Sequence, residues 1–412
     1  MPVTTARQSL IALAALNFCV AAAQTGFGPF VSVWLTQQGW NQTDIGLALS
    51  LGTGVALLGQ LPAGMLADAA HHKRGLTSVA LIGLAVSAML LVLPPSKTPV
   101  FAAEILHALA SCVLVPAIAS ITLGLCGHSG FSQRLGINTS YSGLGNAAAA
   151  AAMGATAYYL SGRMVFVLAA LLVLPSLLAL FAIRHTDRLP PDGDHPALLP
   201  PKERAHRPWH IFAEPALHLF AVCAVLFQLA NAAMLPLALN GLAQRSGAAG
   251  PTVSAAIMLP SIIVAVLSPW AGRMAQLWGR RPLLLLGFAA LPARALLFAA
   301  EPGAAALVTI QILDGVSATM FGLMLPLIAA DLTRRTGFLN LAMGSLGLAA
   351  GLGAMVSTIA AGWMADKMGP EAAFIGLAAA GATGLALIAA WMPETRPGLA
   401  FPPPPLPDAA RT

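Results

Sequence analysis

Apolar stretches of roughly 18–25 residues recur from one end of this chain to the other, each long enough to cross a hydrocarbon layer of ~30 Å at ~1.5 Å of helix rise per residue. That recurrence is the strongest constraint on its fold. Only 9% of the 412 residues are charged and 58% are hydrophobic, too little charge to cover the surface of a water-soluble protein this long. A membrane β-barrel would show short segments of alternating polarity, and none is present. The chain is therefore expected to be an all-α, polytopic membrane protein.

Twelve helices are predicted: near residues 8–36, 44–68, 75–94, 99–125, 137–160 and 164–184, then 212–240, 251–276, 282–300, 305–332, 338–363 and 371–391. The stretch from Met1 to Thr25 resembles a secretory leader, with Arg7 before an apolar run and three alanines. It is expected to be retained, because the apolar run continues through Phe27, Phe30, Val31 and Trp34. The one long polar segment, 185–210, contains Pro190-Pro191 and Pro200-Pro201 and reads as a solvated linker. It separates a first bundle, 1–184, from a second, 211–396; a proline-rich tail, 397–412, is expected to be disordered.

Lys and Arg set the expected orientation. With the N-terminus inside, sixteen of them fall in inside loops and tails, against Lys97, Arg163, Arg245 and Lys367 outside. This bias predicts cytoplasmic termini in an inner membrane and accounts for the net charge of +6 without nucleic acid. The four cysteines (Cys19, Cys112, Cys126, Cys223) have no metal-ligand or disulfide spacing. His71-His72 reads as part of a basic loop rather than a metal site. No phosphate-binding loop and no nucleophile–base constellation is present, so neither an enzyme nor a cofactor is expected.

A shift of 207 residues superimposes distinctive positions: Gln24 on Asn231, Pro29 on Pro236, and Glu104-Ile-Leu-His107 on Gln311-Ile-Leu-Asp314. Two related six-helix halves follow. Charged residues inside spans are costly unless paired or hydrated, which singles out Glu104, His107, Arg294 and Asp314. Glu104 and His107 are three residues apart and share a helix face.

Gly64-Met-Leu-Ala-Asp68-Ala-Ala-His-His-Lys73-Arg74 resembles the signature of the major facilitator superfamily between helices 2 and 3. Gly272-Arg-Met-Ala-Gln-Leu-Trp-Gly279-Arg280-Arg281 repeats it between helices 8 and 9. There are departures: His71 stands for the second Gly of the first copy, Ala69 for its Arg, and Gln276 for the Asp of the second copy. The resemblance implies a twelve-helix transporter with two pseudo-symmetric bundles, in which these segments latch the halves together on the cytoplasmic side. Asp68 would pair with the basic cluster or with a helix N-terminus. Helices 1, 4, 7 and 10 line the cavity in this family, so Gln24, His107, Asn231 and Gln311 would face the solute. Glu104, Asp314 and Arg294 would couple protons, and Arg294 with Asp314 also resembles the helix 9 and 10 pattern of sugar–proton symporters. Glu104 stands where many members carry an Arg.

The predicted function is secondary transport of a small organic solute by alternating access, coupled to protons, by a monomer in a lipid bilayer. Helix 5 lacks the Gly-Pro dipeptide of many drug–proton antiporters, so export of amphipathic compounds, favoured slightly, competes with uptake of a metabolite or metal chelate. A transporter-like sensor is the remaining alternative.

Overall fold

In a hydrocarbon layer every backbone N–H and C=O has to find its partner within the protein, which leaves the helix as the default for each apolar run. The computed structural model describes residues 3–27, 29–40, 42–70, 72–183, 211, 214–246, 250–300, 302–334 and 336–396. The expected linker 185–210, the tail 397–412 and His71 lie outside the described residues.

Among the described residues thirteen helices run in order: α1 Val3–Gln24, α2 Pro29–Gln37, α3 Gln42–Ala69, α4 Lys73–Val92, α5 Lys97–Tyr159, α6 Gly162–Ala182, α7 Pro215–Asn231, α8 Met234–Ser246, α9 Gly250–Leu277, α10 Arg281–Ala299, α11 Ala304–Leu332, α12 Leu339–Met368 and α13 Pro370–Trp391. Ten helices among the described residues are long and apolar enough to cross a membrane. One of them, α5, has 63 residues and contains Gly127 at φ 62° and ψ 178°. Only glycine occupies that region readily, and at this point the chain turns back, so α5 makes two crossings. The loop expected between residues 125 and 137 is thus compressed into one residue. With α1 and α2 covering the first predicted span, the twelve-crossing architecture is reproduced.

Two predicted spans are broken, and in the same way. The first is interrupted after Gln24 and resumes at Pro29; the seventh is interrupted after Asn231 and resumes at Met234, two residues before Pro236. Proline has no N–H to give, and its ring clashes with the carbonyl four residues earlier, so an uninterrupted helix is disfavoured at both places. The two polar residues that the 207-residue shift superimposes are each the last residue of a helix.

Buried apolar residues form two clusters. One is drawn from Ala12 to Ile183. The other runs from Ile211 to Met392 and takes in three residues from earlier in the chain, Ala119, Phe131 and Leu135. Between the clusters, α3 packs on α12 and the second leg of α5 packs on α9. Glycines set both contacts. A Cβ on Gly64 would stand 2.3 Å from the Asn340 carbonyl oxygen, and one on Gly344 2.4 Å from that of Gln60. Gly136 and Gly272 face each other across the other pair, a Cβ on either lying 3.0 Å from the Cα of its opposite. These approaches fall toward the ends of the helices that carry Lys73, Arg134 and Arg280. Toward the opposite ends, Gly54 of α3 and Gly154 of α5 have no such neighbour within 4 Å. The closest glycine approaches between the halves thus gather toward the basic end.

Gly127→Ala is expected to lower stability by about 1–3 kcal/mol, the cost of forcing a side chain into this backbone region. Thermal unfolding in detergent measures it. Gly124→Ala, three residues away where an added Cβ meets nothing within 4 Å, should leave the transition unchanged or slightly raised.

Candidate solute and coupling site

The break after α7 leaves Asn231 at a helix end, with its side chain able to reach α10. Arg294 of α10 is 1% exposed, and a cation so buried needs its donors occupied. Its NH1 donates to Asp314 Oδ1 at 2.6 Å and to Asn231 Oδ1 at 2.7 Å, while Nε and NH2 donate to Gln311 Oε1 at 3.1 and 2.8 Å. Gln311 and Asp314 are three residues apart on α11 and present one face. Gln311 is itself fixed, donating Nε2 to the Ala256 carbonyl of α9 at 2.9 Å. The guanidinium carbon also lies 5.4 Å from the centre of the Phe298 ring. Four helices are thus tied to one cation. The ion pair is lopsided in access: the Arg294 side chain is 1% exposed and that of Asp314 19%, so solvent reaches the carboxylate and not the guanidinium.

The equivalent place in the first half is built differently. Gln24 Nε2 donates to the Ser111 hydroxyl at 3.2 Å, and Ser111 shares a 3.3 Å bond with His107 Nε2. The His107 ring stacks on Phe27 at 3.9 Å and 7°. Beside it, the Thr25 hydroxyl lies 3.1 Å from Asn146 Oδ1 of α5. No hydrogen bond among the described residues joins this set to the Arg294 set. The 207-residue shift places Ser87 where Arg294 stands, and Ser87 bonds the Ala103 carbonyl at 2.8 Å. The halves share a backbone plan and differ in charge.

Glu104 does not join either set. Although it is on the same face as His107, it is buried against α3, where a Cβ on Gly52 would stand 2.8 Å from its Oε2. Its Oε1 has no hydrogen-bond partner among the described residues. Sequence spacing alone grouped Glu104 with His107; the packing of α3 separates them.

The signature residues converge on the basic end. Asp68 accepts from the backbone N–H and side-chain amide of Asn340 at 3.0 and 2.7 Å, and from the Leu341 N–H at 2.8 Å. A carboxylate thereby caps the N-terminus of α12, where unpaired N–H groups and the helix dipole favour negative charge. Asn340 is also bonded by Ser120 of α5 at 2.9 Å. Lys73 turns back to the Ala67 carbonyl and closes the other side of the turn. Arg74 has two buried donors, Nε and NH2, without partners among the described residues. In the second copy Gln276 cannot accept as Asp68 does through two oxygens; it donates Nε2 to the Ser129 carbonyl of α5 at 2.6 Å. Gly279 adopts φ 95°, which lets the Arg280 and Arg281 N–H groups meet the Glu394 carboxylate at 2.8 and 3.1 Å. Arg280 Nε also pairs with Asp331 at 3.0 Å, and Arg281 bonds the Ala389 carbonyl. Asn340, Asp331, Glu394 and Ser111 were missed in the sequence, since each acts on a residue far away in the chain. The acid in Pro393-Glu394-Thr395-Arg396, just past the last apolar run, was the one available hint.

The sequence profile described as Major Facilitator Superfamily matches residues 13–238 and 220–407. The chain belongs to this superfamily. Two Mycobacterium tuberculosis proteins described as uncharacterized MFS-type transporters, one from strain CDC 1551 / Oshkosh and one from strain H37Rv, are each 34% identical over 397 residues, which covers 93% of both partners. Among solved structures, the proton:xylose symporter XylE bound to 6-bromo-6-deoxy-D-glucose superimposes with a TM-score of 0.74 at 12% identity, covering 94% of this chain and 96% of its own. The Escherichia coli fucose:proton symporter FucP gives 0.72 at 14% identity, covering 92% and 97%. The human organic anion transporter MFSD10 gives 0.68 at 15% identity, covering 94% and 100%. The protein is a multi-pass membrane transporter of the secondary class, and its cargo is a small-molecule solute.

Asp68→Ala should leave two backbone donors at the start of α12 without their acceptor, weakening closure at the basic end by about 1–3 kcal/mol. Spin labels on cysteines at Leu66 and Thr336, in a background without the native cysteines, should report a broader and longer distance distribution than in the parent. An unchanged distribution would show that the cap does not hold the halves together.

Proposed function

We propose that this transporter moves a small organic solute together with a proton, and that the Arg294–Asp314 pair is where the proton acts. The observation that carries the reading is the threefold sharing of the Arg294 guanidinium. When Asp314 is ionised, the pair is neutral overall. When Asp314 takes a proton, Arg294 loses its counter-ion but keeps the Asn231 and Gln311 carbonyl oxygens, so it is not left without acceptors. The energy difference between the two states is then expressed in the positions of α7, α10 and α11, the helices that supply the partners. Asn231, which is partly exposed, is suited to exchange its bond to Arg294 for a bond to solute, which ties solute binding to the proton, while the fully buried Gln311 keeps hold of the guanidinium.

Gln24, Ser111 and the His107–Phe27 stack would form the opposite wall. Amides, a hydroxyl and a flat ring pair fit a solute with several hydrogen-bonding groups and one apolar face. Closure at the basic end, read with the excess of Lys and Arg there, corresponds to a cytoplasmic seal in a bacterial inner membrane and to a cavity reached from outside. Glu104 is a second carboxyl that proton movement could involve. Two of the structural relatives are proton symporters by their printed names, which favours uptake. Export of an amphipathic compound is the second reading, favoured by the apolar face of the ring stack.

Solute-induced proton flux in proteoliposomes, screened across a broad panel, tests the reading. Wild type should acidify the lumen with some compound and Asp314→Asn should not, while still exchanging that solute. Equal solute movement in both without a proton signal would remove the proton from the mechanism. Asn231→Ala should raise the KM for the same compound about fivefold, the worth of one hydrogen bond, as read from initial uptake rates.

A further inference from the structure

A cavity of about 500 Å³ opens between α1 and the second leg of α5. It is separate from the solute site: it lies at the basic end, and its walls are Arg7, Leu10, Ile11 and Phe18 from α1 with Arg134 and Tyr141 from α5. Among the described residues no Asp or Glu lines it. Ile11 and Tyr141 are 61% and 41% exposed, as is Leu144 at 47% one turn beyond, so this flank faces away from the packed core. The faces of the second leg of α5 that meet other helices are different ones. Gly136 and Gly143 press on α9, and Gly145 presses on the Phe18 carbonyl of α1. The groove runs between these contacts on the outer flank.

Its polarity is ordered along its length. Arg7 and Arg134 stand at the basic end, and Arg134 and Tyr141 are seven residues apart, about 10 Å of helix. Everything between is apolar. Arg134 spends one donor on the Leu10 carbonyl, and its buried Nε has no partner among the described residues. Arg7 is exposed and forms no ion pair among the described residues. Two cations with no carboxylate among the described residues, above an apolar channel open to the side, match a molecule with an anionic head and a hydrocarbon chain. A bilayer supplies that molecule at high concentration, and basic pockets between helices select anionic headgroups.

We propose that this groove holds one anionic phospholipid, its phosphate between Arg7 and Arg134 and one acyl chain along Leu10, Ile11 and Phe18. The lipid would bridge α1, whose broken end carries Gln24, to the leg of α5 that presses on α9. Its occupancy would therefore brace the contact that closes the basic end.

Native mass spectrometry of the full-length protein in detergent, with equimolar phosphatidylglycerol and phosphatidylcholine of matched chains, tests the proposal. Wild type should retain phosphatidylglycerol in preference to phosphatidylcholine. Arg7→Gln, which changes an exposed side chain and leaves the Arg134–Leu10 bond in place, should reduce that preference about fivefold, the contribution of one basic residue near a lipid surface. Ala15→Phe, which fills the groove without altering charge, should abolish retention of phosphatidylglycerol. Equal retention of the two lipids by wild type, or an unaltered preference in Arg7→Gln, would overturn the proposal. So would displacement of the lipid by millimolar inorganic phosphate, which would make the site one for soluble anions. Undiminished retention in Ala15→Phe would place the lipid elsewhere.

Discussion

A guanidinium buried at 1% exposure in a membrane protein dictates its surroundings more than any other single group here. Its donors have to be met by fixed acceptors, because the alternative is an uncompensated charge in a low-dielectric interior. Meeting them draws Asn231 from the end of α7 and Gln311 with Asp314 from α11, and Gln311 in turn holds the Ala256 carbonyl of α9. The break in the seventh span follows the same logic. A continuous helix there would not end at Asn231, and irregular backbone at membrane depth is tolerated where polar groups or a cavity receive it.

The first half repeats the backbone and omits the charge. Its break after Gln24 is in register with the break after Asn231, yet Ser87 stands in place of the Arg and satisfies itself on a neighbouring carbonyl. The Gln24–Ser111–His107 chain is held by weaker bonds of 3.2 and 3.3 Å. Under the proposed function the halves divide the labour: one carries the pair on which the proton acts, and the other carries the amide, hydroxyl and ring that face the solute.

At the basic end two acids sit on helix termini. Asp68 caps α12 across the two halves, and Glu394 meets the first N–H groups of α10 within the second half, each acid set against the positive end of a dipole. The cross-half contacts at this level are glycine against backbone, such as Gly64 on Asn340 and Gly136 on Gly272. Contacts of this type interlock few side chains. They suit an interface that has to separate and re-form, with Asp68 supplying the directional part of the bond.

The apolar runs determined the class and the approximate helix boundaries, because lipid leaves each run one way to satisfy its backbone, and the segments 64–74 and 272–281 carried the family resemblance. The 207-residue repeat also determined that Gln24 and Asn231 would be equivalent, since proline and polar residues recur at fixed spacing. Arg294 and Asp314 were legible as out of place in apolar runs, and Asn231 and Gln311 as positions picked out by the repeat. That they form one cluster was decided by the packing of α7, α10 and α11, which no local pattern encodes. The partners of Asp68 and Arg280 lie hundreds or tens of residues away, at Asn340 and at Asp331 and Glu394, and only the fold could name them. Glu104 marks the boundary between the two kinds of knowledge. Helical periodicity placed it beside His107, but which neighbour fills the space in front of a side chain depends on the adjoining helix, and there α3 brings Gly52 against it and leaves His107 to Ser111.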